Sequence, residues 1–513
     1  MKKKIIYLSV ILVLVISLIT LSSIYKSKDN KYKKEYNTIP KGMAIMIKEE
    51  GATDYTKSTS KDIPKGNYVL NEEKTHCENN GKVTNYNSAT GKISLNFIGS
   101  DRCYLYFDYE VLDGWKTILI NNGNGATTVE EAKTYIEGRT TSTTPDFSTV
   151  ATTNEGMYSA PDDLGTSYYF RGAVDNNWLK YGKYTKDMYN CNNGTISATD
   201  TGNSCTKIAS SGDAIYWRII RINGDNSIRM IYSGITPPTE STKVIKTTDT
   251  SLGKSLFNSE YDSQQYVGYM YSEGGIENST SSMIKNYLED WYANYTDLNA
   301  TGTKITDQIF CNDRRIARRD PPDIYYGAGG RLSYNIFMYG KKQEPILTCP
   351  NESDKFTSKG SSIGNKKLEY PVGLITADEV SMAGGKIPTR QGETADNSSY
   401  YLYTNQTYWS GSPHNFNSGS TTGSTSNYSG AREFIVSSSG ELDVSTNGYH
   451  YVVVPIPPED GSDSGSGSDS SSGSGSDSDS GSGRFNGVRP VVSLSSKVKL
   501  SGNGTYSKPY TVS

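Results

Sequence analysis

The sequence predicts an α+β protein in which a small all-β domain precedes a larger mixed domain, with an apolar helix at the start of the chain. Three observations predict it. Residues 5–24 carry no charge, residues 61–110 hold short alternating runs separated by Asn-Asn-Gly and Thr-Gly turns, and residues 151–513 mix hairpin and amphipathic-helix patterns. A chain of 513 residues has room for two or three domains.

The apolar run at residues 5–24 predicts a transmembrane signal anchor. Fourteen of its twenty residues are Ile, Leu or Val, and three lysines precede it in a cytoplasmic tail, residues 1–4. At about 1.5 Å per helical residue the run covers the ~30 Å hydrocarbon core of a bilayer. A cleaved secretory signal is the alternative, and both interpretations export the remainder of the chain.

Lysines on the far side of the run argue for the opposite orientation. Residues 26–34 contain five lysines, more than the three before the run, and positive charge favours the cytoplasmic side. Long domains translocate largely regardless of charge. We therefore expect a single-pass protein of the cell membrane with the bulk of the chain extracellular, or a secreted protein where the signal is cleaved.

Six cysteines fall into three couples that are local in sequence. An even cysteine count in an exported chain predicts disulfide bonds. Fifteen connectivities exist, and locality favours Cys77–Cys103, Cys191–Cys205 and Cys311–Cys349. A zinc site at His76 and Cys77 is the weaker alternative, because no C-x-x-C pair or nearby histidine completes it.

The composition of the chain limits the classes of partner that we expect. The chain carries 52 basic and 55 acidic residues, and without the three N-terminal lysines the exported part has a net charge of about −6. Nucleic-acid binding, which leaves a basic footprint, is therefore not expected. The 40 tyrosines suit an adaptable recognition surface, but codon bias of an AT-rich genome explains them equally well.

Before the large domain, the sequence predicts three segments. Residues 25–60 are polar and Lys-rich and suggest a stalk, and residues 61–110 suggest the small β domain. Residues 111–150 are a connector with one short helix that ends at Gly138.

Within residues 151–513 the periodicity predicts alternating strands and helices, interrupted by a segment that cannot pack. Residues 461–483 contain only Gly, Ser and Asp and predict a disordered insert. In chain order, the predicted elements are a hairpin at 216–234, a helix at 281–295 capped by Ser281 or Ser282, a buried strand at 370–375, a capping box at Thr376–Glu379, a hairpin at 432–445 and a strand within 487–494.

Four motifs occur in an order that resembles a known family. They are GTSYYFRGAVDNNWLKYG at 165–182, the hairpin at 216–234, YWSGSP at 408–413 and GVRPVVSL at 487–494. The set is similar to exported Firmicutes surface proteins of unknown function, whose domain resembles the formylglycine-generating-enzyme and C-type-lectin-like folds. The resemblance covers about residues 145–513. It implies a twisted antiparallel core sheet, two helices and long loops.

Several residues of these motifs are better explained by a role in the fold than by a role in binding or catalysis. Trp217, Arg218, Arg489 and Pro490 belong to the matching motifs, and we interpret them as structural. Arg489 suits a buried hydrogen-bond network, and Arg171 in FRGAV has a similar interpretation.

The resemblance does not carry the enzyme chemistry with it. Formylglycine generation relies on a late copper-binding cysteine pair, and no cysteine follows Cys349. Related iron enzymes use a histidine-rich site, and only His414 and His450 lie in this domain. Calcium-binding lectin loops, H-E-x-x-H and P-loop motifs do not occur in the sequence. We expect a non-catalytic chain without cofactor or metal, although a Ser–His–Asp triad that uses either histidine stays open.

Residues 399–429 form the predicted binding stretch. Aromatic rings beside Asn and Ser suit a saccharide or protein surface. The candidate ligand contacts are Tyr401, Tyr403, Tyr408, Trp409 and His414. The competing interpretation places Tyr408 and Trp409 in the core.

Together these features predict a membrane-anchored bacterial cell-surface protein that binds or adheres to an extracellular protein or glycan. Residues 5–24 provide its membrane contact. Two alternatives remain open. One is a degenerate or divergent enzyme of the formylglycine-generating type, and the other is a structural component of the envelope.

Overall fold

A computed structural model describes residues 33–49, 51–65, 67–79, 81–88, 90–96, 101–200, 204–272, 275–388, 396–418, 430–446 and 485–512. Strands make up 37% and helices 16% of the structure, so the chain is a mixed, strand-rich protein. It divides into two compact units, unit 1 up to Tyr135 and unit 2 from Ile136.

Two predicted segments lie outside the described residues. They are the apolar run at 5–24 and the Gly/Ser/Asp insert at 461–483. None of the helices within the described ranges is long and apolar enough to cross a membrane.

Unit 1 consists of two small sheets and the start of the helical connector. Its strands are β1 (Lys33–Tyr36), β2 (Ala44–Lys48), β3 (Thr56–Lys57), β4 (Tyr68–Leu70), β5 (His76–Cys77), β6 (Lys82–Asn87), β7 (Lys92–Asn96) and β8 (Cys103–Tyr109). One sheet has the order β1-β7-β6, and the other has the order β3-β2-β8-β4 with β5 also paired to β8. Alternate residues of β7 and β8, including Ile93, Leu105 and Phe107, are buried in the core between flanking strands.

The predicted stalk at 25–60 is wrong for residues 33–57, which form three strands of unit 1. β1 pairs antiparallel with β7, and β2 runs parallel to β8. Ile45 is only 1% exposed, because β2 contributes its apolar side chains to the same core. The lysines around this short strand dominate its composition and conceal its alternating pattern.

Two helices follow, α1 (Gly114–Asn121) and α2 (Val129–Ser142). The predicted helix end at Gly138 is wrong, because α2 continues through it. Arg139 donates hydrogen bonds to the carbonyls of Met157 (3.0 Å) and Glu155 (2.8 Å). These bonds anchor the last turn, and they outweigh the cost of about 1 kcal/mol for glycine inside a helix.

Unit 2 contains most of the strands. Its first strands are β9 (Asn154–Asp162), β10 (Gly165–Gly172), β11 (Trp178–Lys183), β12 (Met188–Cys191), β13 (Ile196–Ser197), β14 (Cys205–Ala209), β15 (Ala214–Ile222), β16 (Ile228–Tyr232), β17 (Lys254–Ser255), β18 (Met270–Ser272) and β19 (Gly275–Ser281). The next are β20 (Ile305–Thr306), β21 (Phe310–Cys311), β22 (Ile316–Asp320), β23 (Asp323–Tyr326), β24 (Lys355–Phe356), β25 (Tyr408–Asn417), β26 (Gly430–Val436), β27 (Leu442–Thr446), β28 (Asn486–Gly487), β29 (Val491–Leu494), β30 (Leu500–Ser501) and β31 (Tyr510–Val512).

Its helices are few and short. They are α3 (Met283–Tyr295), a π-helix (Gly329–Tyr334), α4 (Asn335–Tyr339) and α5 (Ala377–Ala383), with 3₁₀ turns at Glu240–Thr242, Gln264–Tyr266, Asp297–Asn299 and Glu352–Asp354.

The main sheet of unit 2 has the order β20-β29-β16-β15-β11-β31-β30, and β10 pairs with both β15 and β9. The predicted hairpin at 216–234 is confirmed as β15 and β16, which pair antiparallel. The predicted helix is confirmed as α3, where the Ser282 hydroxyl accepts from the amide of Lys285. Its Trp291 ring lies 6.4 Å from Trp217 and 6.1 Å from Tyr232, so helix and hairpin share one aromatic core.

A second sheet has the order β17-β28-β25-β23-β22, with β26 and β27 beside β25. The predicted hairpin at 432–445 is confirmed as β26 and β27. The predicted strand at 370–375 is reduced to one antiparallel bridge between Gly373 and Val491 of β29, although Leu374 and Ile375 are buried. Pro371 has no amide hydrogen to donate, and the amide of Leu374 donates to the Tyr269 hydroxyl (2.7 Å) instead of to a strand.

A buried ion cluster joins the main sheet to α5. The Glu379 carboxylate accepts from Arg221 Nε (2.9 Å), and Arg229 Nε lies 2.6 Å from Glu379 Oε1 at an angle that makes an ion pair rather than a hydrogen bond. The other oxygen of Glu379 accepts from the amide of Thr376 (3.0 Å). The predicted capping box is therefore confirmed, and its carboxylate also ties β15 and β16 to the helix.

Buried arginines elsewhere in unit 2 hold backbone carbonyls. Arg489 donates to the carbonyls of Tyr232 (3.0 Å) and Leu402 (3.1 Å), and Arg171 donates to those of Ser381 and Met382 (both 3.1 Å). The predicted hydrogen-bond network at Arg489 is confirmed.

All three predicted disulfides are present, Cys77–Cys103, Cys191–Cys205 and Cys311–Cys349. The cysteine count and locality were sufficient to predict them, because each partner lies within 38 residues along the chain.

Peptide mapping of the purified, non-reduced chain is expected to recover these three intrachain pairs. Replacing both cysteines of a pair by serine is expected to lower the free energy of unfolding by about 3 kcal/mol for Cys191–Cys205 and about 4 kcal/mol for Cys311–Cys349, because the longer loop gains more unfolded-state entropy. Free thiols at all six positions would contradict both the pairing and the export of the chain.

The substitution Glu379→Gln is expected to lower the free energy of unfolding by about 3–5 kcal/mol, since it leaves the buried guanidinium of Arg229 without a countercharge and removes one of the two carboxylates that hold Arg221. Glu352→Gln is the matched control, because that side chain is 82% exposed and forms only a surface ion pair with Lys355. Denaturant unfolding of the two variants should separate them, and equal midpoints would contradict the role of Glu379.

Candidate functional site

The structure buries most of the predicted ligand contacts. Tyr401, Tyr408, Trp409 and His414 are each at most 6% exposed, and only Tyr403 is half-buried. The Trp409 indole donates to the carbonyl of Ser255 (2.8 Å), deep in unit 2. These four rings do not form a surface in this structure. Tyr408 and Trp409 lie in the core, as the competing interpretation has them. Residues 419–429 of the predicted binding stretch lie outside the described residues.

His414 is held in a buried hydrogen-bond chain. Its Nε2 lies 2.9 Å from the Ser333 hydroxyl and its Nδ1 lies 2.6 Å from Asn415 Oδ1. Asn415 in turn donates to Asp323 (2.5 Å). Because a side-chain carbonyl can only accept, Nδ1 carries the proton and Nε2 accepts from Ser333.

This Ser–His–Asn order resembles a catalytic relay, but it lacks access to a substrate. Ser333 is 1% exposed and His414 is 6% exposed. Burial lowers the pKa of His414 to about 4, so the imidazole stays neutral at physiological pH. The chain of bonds joins the π-helix to β25, and its geometry supports a structural role.

A narrow cleft beneath the main sheet concentrates charged side chains. The volume that water can occupy in it is about 30 Å³. We call it the charged cleft, and its ionisable lining residues are Asp162, Asp163, Asp313, Asp378, Glu379, Arg221, Arg229 and Arg331.

Arg331 joins two of the carboxylates across the charged cleft. It contacts Asp378 at 2.9 Å and Asp313 at 3.0 Å. Burial alone would lower the pKa of Arg331, but the two aspartates raise it above its usual value. The guanidinium is therefore permanently charged and fixed in place.

Arg331 also lines a second cavity, of about 280 Å³, that opens between β22 and α4. Exposed arginine, aromatic and apolar side chains surround it. We call residues 315–318 and 334–339 the arginine–aromatic surface. It includes Arg315, whose side chain is 54% exposed and lies 3.7 Å from Asp313, together with the exposed Arg318.

The apolar part of this surface is unusual for the molecule. Among the described residues, five large apolar side chains are exposed, and four of them belong to this surface. They are Ile316 (36% exposed), Phe337 (38%), Met338 (57%) and Tyr339 (56%). Contiguous exposed apolar groups mark interaction sites more often than chance exposure does.

Ring contacts order the arginine–aromatic surface. The Arg318 guanidinium lies 5.6 Å from the Tyr334 ring centre, and the Tyr334 and Tyr339 rings lie 5.9 Å apart in an edge-to-face arrangement. A hydrogen bond with Tyr334 raises the pKa of Arg318. The positive charge is therefore held beside the rings before any partner arrives.

Two glycines permit this local geometry. A Cβ added at Gly329 would lie 2.1 Å from the carbonyl oxygen of His414, and one added at Gly330 would lie 2.4 Å from Ala317 Cβ. The glycines therefore let the π-helix approach both β25 and β22. π-helical turns are frequent at functional sites.

Metal ligands do not converge in either cavity within the part of the chain that is described. Among all the described residues, one group of three Cys, His, Asp or Glu side chains is close enough to share an ion. It consists of Cys77, Asp101 and Cys103 in unit 1. Both sulfurs belong to a disulfide and offer no thiolate. The zinc alternative at His76 gains no support from this geometry.

The arginine–aromatic surface was not predicted from the sequence. Its signal was present in RRIARRD and NIFMYGKK, where arginines and an uninterrupted apolar run stand beside glycine and lysine. An apolar run of this length equally suits a core segment, so only the fold shows that α4 presents it outward.

Comparison of the chain with models of protein families, with curated proteins and with solved structures found no match.

The stability of unit 2 is expected to fall as the pH falls from 6.5 to about 4. Between these pH values His414 is protonated in the unfolded chain, where its pKa is ordinary, but stays neutral in the folded chain, where its pKa is about 4. Proton binding therefore favours the unfolded chain. The loss approaches about 3 kcal/mol at pH 4. His414→Gln should remove this part of the pH dependence, whereas the same change at the exposed His76 should keep it. An unaltered pH profile in His414→Gln, measured by denaturant unfolding, would contradict the burial argument.

Proposed function

We propose that the chain is a non-catalytic binding or adhesion module, and that the arginine–aromatic surface is its contact site. One observation carries the proposal, namely that four of the five exposed large apolar side chains in the described residues lie together on this surface. Tyrosine, methionine and arginine are enriched where proteins bind partners.

The proposed partner is an extracellular protein with an acidic patch. Arg315 and Arg318 supply positive charge at the edge of the surface, while Phe337 and Met338 supply apolar area that a hydrophilic glycan has little means to cover. Complementary charge would steer the encounter, and burial of the apolar side chains would provide most of the affinity.

The proposed location is the outside of a bacterial cell membrane. It rests on the apolar run at residues 5–24 and on the three disulfides, since such bonds persist in oxidising compartments. Cleavage of the run and secretion is the alternative within the same proposal.

The proposed ancestry is the family of exported Firmicutes proteins that the sequence motifs resemble. The strand and helix content of the whole structure fits the α+β class that this family would have. This part of the proposal stands on the motif order alone.

The triple substitution of Phe337, Met338 and Tyr339 by serine is expected to reduce binding at least tenfold, since exposed aromatic anchors dominate interface energies. Cells that display the full-length chain would be tested for attachment to a panel of immobilised extracellular-matrix proteins and glycans. Arg315→Ser with Arg318→Ser should weaken attachment more at low salt than at high salt.

Val69→Ser is the matched control, because Val69 is 41% exposed and lies far from this surface in the chain. All variants should keep the parental unfolding temperature, since exposed side chains contribute little to stability. Undiminished attachment of the triple variant, or attachment to glycans but to no protein, would overturn the proposal.

A further inference from the structure

The second cavity, which the arginine–aromatic surface surrounds, is lined by cationic and neutral residues. Three of its nine lining residues are the arginines Arg315, Arg318 and Arg331, and none of the nine is an aspartate or a glutamate. Its volume of about 280 Å³ leaves room for about nine water molecules, at about 30 Å³ each. A small polar group of a ligand can therefore enter it.

An excess of positive charge surrounds the second cavity. We count the lining residues, their neighbours within two positions along the chain, and the ion partners of both. The cationic side chains in this set are Arg314, Arg315, Arg318, Arg319, Arg331 and Lys341. The anionic ones are Asp313, Asp320, Asp354 and Asp378. Two positive charges therefore remain at this site, whereas the net charge of the whole chain is −3.

Hydrogen-bond donors of the second cavity remain available to a ligand. The Arg315 side chain is 54% exposed, and its ion contact with Asp313, at 3.7 Å, is too long for a hydrogen bond. The side-chain amide of Asn335 has no hydrogen-bond partner among the described residues. Arg318 is exposed and forms a hydrogen bond with Tyr334, but a guanidinium group has five N–H donors, so others remain.

The chemistry of the ligand follows from these donors. A guanidinium group presents its N–H donors in a planar fork that matches the two oxygens of a carboxylate. The excess of positive charge disfavours a cationic ligand. We propose that the second cavity binds a carboxylate group, with Arg315 and Arg318 as its charged donors and Asn335 as its neutral donor. The inference rests on the proposed function for the source of this group, which is an acidic side chain of the protein partner.

Fluorescence anisotropy of a labelled tetraglutamate peptide, titrated with the full-length chain in detergent, tests the proposal. Tetraglutamine is the neutral control, since it replaces each carboxylate by an amide of similar size. We expect saturable binding of tetraglutamate, at least tenfold weaker binding of tetraglutamine, and a loss of this difference at high salt. Equal binding of the two peptides at low salt, or no saturable binding of tetraglutamate, would overturn the proposal.

Two variants locate the site. Asn335→Asp keeps the shape of the side chain and places a carboxylate in the cavity, so it should weaken tetraglutamate binding at least tenfold. Asn192→Asp, at an exposed position, makes the same change in net charge and should leave binding unchanged. Arg315→Gln should also weaken binding at least tenfold, which keeps the test decisive if Asn335→Asp unfolds. Parental affinity in either lining variant, with normal thermal unfolding, would place the carboxylate elsewhere and overturn the proposal.

The attachment assay of the proposed function separates the two failures. Loss of attachment in the triple variant of Phe337, Met338 and Tyr339, with parental attachment and peptide binding in Asn335→Asp, would overturn the carboxylate site and leave the proposed function standing. Tetraglutamate binding that Asn335→Asp weakens, in a chain that attaches to no protein, would support the carboxylate site and overturn the proposed function alone.

Discussion

The carboxylate of Glu379 is the constraint around which unit 2 is organised. It caps α5 through the amide of Thr376 and meets Arg221 and Arg229 from two adjacent strands. Burial would raise the pKa of Glu379, but the two guanidinium groups and the cap hold it below its usual value. One fixed charge thereby sets the position of α5 against the main sheet.

The positions of both cavities follow from this placement of α5. Asp378 immediately precedes Glu379 on α5 and contacts Arg331. Arg331 lies in the π-helix, whose Ser333 contacts His414 on β25. The π-helix continues into α4, which carries Phe337 outward. The charged cleft and the arginine–aromatic surface are therefore two sides of one chain of contacts that starts from the core.

Tyrosine serves this architecture mainly from the inside. The Tyr184 hydroxyl forms hydrogen bonds with both Tyr232 and Trp291, and the Tyr269 hydroxyl accepts a hydrogen bond from a backbone amide of a buried loop. A ring with one polar tip fills space and satisfies a backbone group in the same position. Tyrosine-rich composition in this chain therefore does not by itself indicate a recognition surface, and the buried Tyr401 and Tyr408 illustrate the difference.

Sequence alone determined the local features of this protein. Turn residues and alternation specified the hairpin at 216–234, spacing specified α3 and the capping box at Thr376, and cysteine locality specified three disulfides, because each depends on neighbours along the chain. Tertiary structure decided the rest. It drew residues 33–57 into two sheets, reduced residues 370–375 to a single β-bridge, buried Trp409 and exposed Phe337. These outcomes depend on which distant backbone or side chain lies alongside, and a single sequence does not record those long-range contacts.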